Sequence, residues 1–553
     1  MRRSVCVVIL LFCTHTIWAG TLYVPSPYNT IQSAIDNAIN GDSVVVSPGL
    51  YLENIDFKGK SITVCSTDPN DPNIVAATII NGSSPPDPNF GSAVLFRTGE
   101  DANSVLSGFT ITGGTGSWLV VAWDFDRIYW NRCGGGVLCY NMSAPTITKN
   151  VFTANIAGQG GGIYVYGNPV DINNPVDPPV HVCPVITDNT FIENSAVVEH
   201  GFTPPDTNYP ADDHGDGGAI VCFQGVDALI SGNIIAGNHA RYYGGGIHLR
   251  QWSNGLVSEN EIIDNNSALG AGVHITYSSR PTIRDNLIKG NVAGSLGGGG
   301  IYVYYLSQPL IEQNIITNNS SMNAAGIAVY YTSAGTVRDN LIFANNAGAG
   351  IRITGSYPTI AYNTIASNYK NGIECTSNSY PLIAGNIIAS NGTGYGIRVE
   401  PNNTPVIKYN DIWNNAAGTT GPAIPDQTGL NGNISVDPCF VNPDANNFHI
   451  DPNSPCVNAG DPNFSPATGQ ADIDGEERIF NDVVDMGADE MITNPFDLNS
   501  DGVVDYSELA ALADEWLLTG PDLQADFNNN QTVDWFDFTL LANQWFWYAG
   551  WYE

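Results

Sequence analysis

The sequence predicts an all-β fold, a parallel β-helix solenoid of short strands, with a small α-helical module at its C-terminal end. Three observations predict it. From residue 134 onward one unit recurs: a glycine cluster, four or five alternating residues, a turn, then a second strand that ends in Asn-x-Ile and another Asn. Examples are GGGIHLRQWSNGLVSENEIIDNN from Gly244, AGVHITYSSRPTIRDNLIKGN from Ala271 and AGIAVYYTSAGTVRDNLIFANN from Ala325. The first asparagine of the unit falls at Asn233, Asn260, Asn286, Asn314, Asn340, Asn363, Asn386 and Asn410, in steps of 23 to 28 residues, too short for a helical solenoid. Finally, the Ile and Val residues of each unit alternate at period two, which is strand patterning.

Coils stacked about 4.8 Å apart bury one aliphatic column per inward position and align the turn asparagines into a hydrogen-bonded ladder. Glycine clusters turn the corners. This pattern resembles the right-handed parallel β-helix proteins of the pectate-lyase-like superfamily over residues 20–430, and the right hand of the solenoid is implied by that resemblance. The opening stretch YNTIQSAIDNAINGDSVVVSPGLYLENIDFKGKSITV is similar to the start of many such proteins. There, a short amphipathic helix over Ile31–Ile39 caps the open coil end, which would otherwise be a sticky edge.

Ahead of it, Met-Arg-Arg, the apolar run Val5–Phe12 and a small-residue exit near Ala19 form the pattern of a signal peptide over residues 1–19. Export follows, and no later run approaches the roughly 18 apolar residues of a membrane helix. A secreted or cell-surface monomer is expected. The formal net charge of −35 repels phosphate backbones and excludes nucleic acid as a partner. Neutral glycans meet no such penalty, whereas an anionic polysaccharide needs bridging calcium or a local arginine cluster. Cys439 and Cys456 lie in a loop-rich segment where an exported protein can oxidise them. Cys139, Cys222 and Cys375 occupy inward strand positions and read as small hydrophobes.

Aligning the units on their glycine corner points Ile247 and Leu249 inward and His248 and Arg250 outward. One outward column runs Leu138, Tyr164, Val221, His248, His274, Tyr302, Ala328, Arg352, Glu374, Arg398; the other runs Tyr140, Tyr166, Phe223, Arg250, Thr276, Tyr304, Tyr330, Thr354, Thr376, Glu400. Tyr140, Tyr166, Phe223, Tyr304 and Tyr330 flanking His248, Arg250 and His274 suit an extended glycan groove, where rings stack on sugars and polar groups reach their oxygens. Two large insertions, Thr115–Arg132 with Trp118, Trp123 and Trp130, and Val197–Gly217 with Asp212, Asp213, His214 and Asp216, would wall its middle. In a lyase of the superfamily, Arg250 or His248 would remove the proton α to a carboxyl group beside calcium held by Asp213 and Asp216. In a hydrolase, Asp212 with Asp216 would be the acid and base.

After the coils, residues 431–492 hold SPCVNAGDPN and ADIDGEERIFNDVVDMGADE, similar to a closing tail of secreted bacterial β-helices. Asp472, Asp474, Arg478 and Asp485 there read as an ion-pair cluster or cation site. The segment DLNSDGVVDYSE matches the EF-hand loop rule, with Asp497, Asn499 and Asp501 at positions one, three and five, Gly502 at six, the Val503 carbonyl at seven, Asp505 at nine and Glu508 at twelve. DFNNNQTVDWFD repeats it with Asp526, Asn528, Asn530, Thr532, Asp534 and Asp537, but has Gln531 where glycine is expected. Each loop leads into a helix-like segment, Leu509–Leu518 and Phe538–Trp545. Over residues 495–546 the pair resembles a type I dockerin, which implies Ca2+ as cofactor and a cohesin-like or cell-surface protein as partner. The pattern departs at Tyr506–Ser507 and Trp535–Phe536, where small hydroxyl pairs are usual. A calcium-stabilised terminal module with no partner is the alternative.

The reading is a secreted carbohydrate-active protein that binds and cleaves an extracellular polysaccharide, by elimination or hydrolysis. Its rivals are a non-catalytic adhesive solenoid and a structural cell-envelope protein.

Overall fold

The computed structural model describes residues 19–124, 127–167, 180–197, 204–205, 214–295, 297–480, 483–492, 494–499, 502–521 and 523–547. The signal-peptide stretch lies almost wholly outside them, as do a third, Pro-rich insertion over 168–179 and most of the Val197–Gly217 insertion.

The chain begins its coils with the strand Thr21–Val24, followed by helix α1 (Ile31–Asn37), which caps them. α1 opens on Thr30, whose hydroxyl accepts from Ser33 N in a capping box, and buries Ile31, Ala34 and Ile35. It ends two residues short of the predicted limit because Ala38 is already extended. A second short helix, α2 (Pro72–Ala77), follows in the next coil.

Every coil contributes to three long sheets, of 14, 13 and 13 strands among the described residues, and a short five-stranded ladder from Ile156–Ala157 to Val292–Ala293. Neighbouring strands in all of them run parallel, and the register is in step from coil to coil: Ile247 pairs with Val273 and Val273 with Ile301. The inward aliphatics fill one continuous core, in which Ile247, Val273, Ile275 and Ile301 are fully buried. Cys139, Cys222 and Cys375 sit in the same core, where burial raises their thiol pKa values, so they act as small hydrophobes.

The expected asparagine ladder is present and longer than predicted, running from Asn150 to Asn433. Each side chain bridges coils: Asn260 Nδ2 donates to Asn286 Oδ1 at 2.9 Å and to Ile230 O at 2.9 Å, while Asn286 Oδ1 also accepts from Asn260 N. A second, parallel ladder runs from Asn155 to Asn415. These amides satisfy turn carbonyls that the sheets leave over, which is why polar residues can line a dry interior.

The segment 431–492 folds back over the last coils. Arg478 is 1% exposed and donates to the carbonyls of Asp485 (3.3 Å) and Gly487 (3.1 Å), while its Nε lies 3.5 Å from Asp339 Oδ1 and its guanidinium stands over Tyr362. Asp472 accepts from the backbone N–H groups of Asp474, Glu476 and Glu490. Among the described residues no disulfide forms. Cys456 is buried and its Sγ lies 3.4 Å from Asp411 Oδ2, whereas Cys439 is exposed, so the expected oxidation of this pair is not what the fold presents.

Helices α3 (Tyr506–Asp514) and α4 (Trp535–Asn543) follow. Both start three residues earlier than predicted, because Asp505 and Asp534 are N-caps with Glu508 and Asp537 closing capping boxes. No described helix is long and apolar enough to cross a membrane.

Candidate functional site

The third sheet carries the two predicted columns on its outer face. The first runs Leu138, Tyr164, Val221, His248, His274, Tyr302, Ala328, Arg352, Glu374, Arg398 in unbroken register. The corner before each strand is tight. A Cβ on Gly244 (φ 62°) would stand 2.9 Å from His248 Cβ, and one on Gly270 (φ 61°) 2.9 Å from His274 Cβ, so glycine lets the outward imidazoles lie close on the corner.

The column divides into three stretches. In the first, the Thr115–Arg132 insertion is not a loop but an antiparallel hairpin of strands Gly116–Asp124 and Arg127–Cys133, lying over the sheet. Val121 and Cys133 pack on Leu138, Tyr164, Val221 and Phe223 in a second core, with Tyr140 and Tyr166 against it. Of the predicted ligand-stacking residues, Phe223 is buried in this core beneath the hairpin, while Tyr140 and Tyr166 are half-buried against it. Trp130 packs edge-on to Trp118 at 6.5 Å. The side chain of Trp123 lies outside the described residues.

The middle stretch opens into a cleft of about 360 Å³ lined by Tyr243, His248, Arg250, Leu269, His274, Thr276, Tyr277, Tyr302, Tyr304, Asn323, Tyr330, Tyr331 and Arg352. His274 is sandwiched between Tyr243 (5.0 Å) and Tyr302 (5.2 Å), each at 16°, and Tyr302 stacks in turn on Tyr330 at 5.3 Å. His248 meets His274 edge-on at 4.7 Å. The Arg250 guanidinium stands over Tyr277 at 4.8 Å and Phe223 at 5.3 Å.

Both imidazoles and Arg250 are almost fully buried, not exposed on a flat strip. Burial, then the nearby Arg250 guanidinium, lowers the His274 pKa to about 3; His248 is pushed well below its usual value by burial, His274 and Arg250. Both rings are neutral, and none of their four nitrogens has a hydrogen-bond partner among the described residues. Asp216 Oδ2 lies 4.0 Å from His248 Nδ1. Asp212 and Asp213 lie outside the described residues. Burial raises the pKa values of the Tyr302 and Tyr330 hydroxyls, so both stay protonated.

Beyond the cleft the column becomes ionic. Arg352 Nη1 donates to Glu374 Oε2 (3.2 Å), Arg398 Nη1 to Glu374 Oε1 and to Glu400 Oε1 (2.8 Å).

Period-two reasoning missed Tyr243, Tyr277, Asn323 and Tyr331 because they lie outside the aligned strand positions. Tyr277 and Tyr331 each open a turn of two consecutive left-handed residues, which swings them beside the strand ends. Tyr302 and Arg352 stood in the predicted column, but only the cleft distinguishes them from their neighbours.

The C-terminal loops hold a separate constellation. Gly502 N donates to Asp497 Oδ2 (2.9 Å) at φ 87°, and Gln531 takes the same left-handed turn at φ 67°, donating to Asp526 Oδ2 (2.6 Å). Gln531 thus occupies the glycine position at a conformational cost of about 1 kcal/mol. Val504 and Val533 are buried together between the helices. Glu508 is fully buried, and its Oε1 has no hydrogen-bond partner among the described residues while Oε2 accepts from Asp505 N. An orphan carboxylate oxygen at position twelve is what a hard cation would satisfy, so Asp497, Asn499, Val503, Asp505 and Glu508 fit calcium. In the second loop both Asp537 oxygens accept from the backbone, of Asn528 and Asp534. Asp501 lies outside the described residues.

Together these features define a class: a solenoid of parallel coils with a roofed outer face, a lateral aromatic cleft and a closing tail. The family described as the right handed beta helix region matches residues 135–342 and 295–421, more than half of the chain, and the protein belongs to it. No curated protein sequence matches the chain. Among solved structures, a double mutant of the periplasmic alginate epimerase AlgG is similar at 15% identity, covering 73% of this chain and 84% of that one, with a TM-score of 0.41. XylC in complex with xylose is similar at 12% identity over 76% and 87%, TM-score 0.38. The A-module of the Azotobacter vinelandii mannuronan C-5 epimerase AlgE6 is similar at 14% identity over 74% and 94%, TM-score 0.32.

Proposed function

We propose that this is an exported carbohydrate-active enzyme that binds a polysaccharide in the cleft and cleaves it by elimination beside a uronate. The observation that carries the reading is the lining itself: stacked rings, two guanidinium groups and two neutral imidazoles, with no carboxylate among the described lining residues. Ring faces suit sugar rings, and the Arg250 guanidinium can meet a carboxylate in the cleft, whereas Arg352 is paired with Glu374. A paired-carboxylate hydrolysis finds no pair among the described lining residues, Asp212 lying outside the described residues.

In this reading the guanidinium of Arg250 pairs the uronate carboxylate and stabilises charge on it as the α proton leaves. A neutral imidazole, His248 or His274, accepts that proton, and the bound carboxylate raises the ring's basicity. The C4–O bond breaks as the C4–C5 double bond forms, and the leaving oxygen takes the proton that burial keeps on Tyr302. The strongly depressed imidazole pKa values favour a second reading, a glycan-binding solenoid without catalysis, since a weak base transfers protons poorly.

Calcium is proposed for the two C-terminal loops. The exposed side chains of Tyr506, Trp535 and Phe536, at the starts of α3 and α4, are proposed to meet a cohesin-like or cell-surface protein. Chelation is expected to unfold α3 and α4, read as protease cleavage confined to the C-terminal module.

Incubation with uronate-bearing and neutral polysaccharides, following absorbance of unsaturated ends alongside reducing ends, tests the enzyme. Unsaturated ends lost in Arg250→Ala are expected, by at least about 100-fold in rate. Reducing ends alone would mean hydrolysis, and silence with binding retained would mean the non-catalytic solenoid.

A further inference from the structure

The closing segment holds a cluster that neither the cleft nor the C-terminal loops use. His449, on the strand Asn447–Ile450, stands beside the 472–476 turn and the buried Asp489. His449 Nδ1 lies 2.7 Å from Asn447 Oδ1, an acceptor that also takes His449 N, so Nδ1 carries a proton and donates it. That leaves Nε2 facing Asp474, 3.1 Å from Oδ2 and 3.3 Å from Oδ1. A metal-binding imidazole is held in this way, with one nitrogen anchored by its N–H and the other free to ligate.

Asp489 gives the independent sign of a ligand. It is 3% exposed; Oδ2 accepts from Ile450 N at 2.8 Å, and Oδ1 has no hydrogen-bond partner among the described residues. The ligand atoms of His449, Asp474 and Asp489 all lie within 4.8 Å of one another. Around an ion with bonds of about 2.1 Å, tetrahedral ligand atoms stand ~3.4 Å apart, so small side-chain adjustments close the site.

We propose that His449, Asp474 and Asp489 bind a divalent metal ion of the zinc and manganese class, with the remaining positions open to water on the side of the turn. One imidazole with two carboxylates is a donor set for such ions, not for the all-oxygen shell that calcium prefers. The same atoms accommodate a proton on Nε2 as an ion pair with Asp474, and the metal displaces that proton. The ion would pin together a strand, a turn and the last part of the closing segment, which are otherwise joined by the Ile450 N–Asp489 hydrogen bond and by the backbone hydrogen bonds to Asp472. The inference does not depend on the proposed enzyme activity.

The test uses the purified full chain in saturating calcium, so that the C-terminal loops are filled, titrated with Co2+ for its visible absorption and with Zn2+ by calorimetry. One equivalent of tightly bound ion is expected, with a rise in the thermal midpoint, and at least a ten-fold loss of affinity in both His449→Gln and Asp474→Asn. Asp474 lies on a surface turn, so its variant keeps the test valid if His449→Gln misfolds. No bound ion in the wild type, or affinity unchanged in Asp474→Asn, would overturn the site.

Discussion

Tyr164 and Tyr302 stand in one column of one sheet, yet one belongs to a core and the other to a cleft. Tyr164 is fully buried beneath the hairpin with Leu138, Val221 and Phe223. Tyr302 stacks between His274 and Tyr330 and lines open space. Strand register makes the two positions equivalent, so the difference lies in what covers them. An outward residue on a solenoid becomes packing or site according to whether an insertion roofs its coil, and the lesson is that a column of aromatics is not by itself a binding strip.

The sharpest break in this comparison is Tyr164→Ala. Removing a fully buried ring under the hairpin is expected to cost about 3–5 kcal/mol in chemical denaturation, with ligand binding retained by the molecules that remain folded. Unchanged stability would mean that the hairpin does not pack there. Next, Tyr302→Phe keeps the stacked ring and removes the proton. It is expected to lower the elimination rate by about 100-fold or more with affinity kept within a few-fold, and equal rates would remove Tyr302 as the acid.

A third prediction separates the cleft from the closing segment by pH. The imidazoles are neutral in the fold, His274 at about 3, against about 6.5 when unfolded, so the unfolded chain binds more protons in that window. Stability that is complete above about pH 6.5 is therefore lost as pH falls toward 3. The closing segment runs the other way. Burial raises Glu490 and Asp489 to about 8, so their contribution is complete below the unfolded carboxylate range near pH 4 and is lost as pH rises through about 8. Denaturation across pH in metal-free buffer should show His274→Gln flattening the acidic limb and Glu490→Gln the alkaline one, each by up to about 1.4 kcal/mol per pH unit. Parallel curves would contradict the assignment. The smallest effect is for Tyr331→Ala: a side chain 58% exposed at the cleft rim should change stability by no more than about 0.5 kcal/mol while weakening glycan affinity by about 0.5–1.5 kcal/mol.

Much of the fold was legible because it repeats. Each coil restates the same inward Ile and Val, the same glycine corner and the same asparagine, so an alignment of the sequence with itself yielded the column from Leu138 to Arg398. The helix starts were less legible, since Asp505 and Asp534 were read as cation ligands although they also cap α3 and α4. Of the positions singled out in the sequence, His248, Arg250 and His274 line the cleft, whereas Tyr140, Tyr166 and Phe223, which carry the same period-two signal, pack in or against the core under the hairpin; Tyr243, Tyr277 and Tyr331 of the lining lie outside that signal.

By itself the sequence determined the solenoid, its register and which side chains face outward, because these follow from local periodicity and short-range stacking that every coil repeats. Only the tertiary structure decided which outward residues stay accessible, how the closing segment sets His449 against Asp474 and Asp489, and that His248 and His274 are neutral. Cover and desolvation depend on segments far apart in the chain, and no local pattern records them.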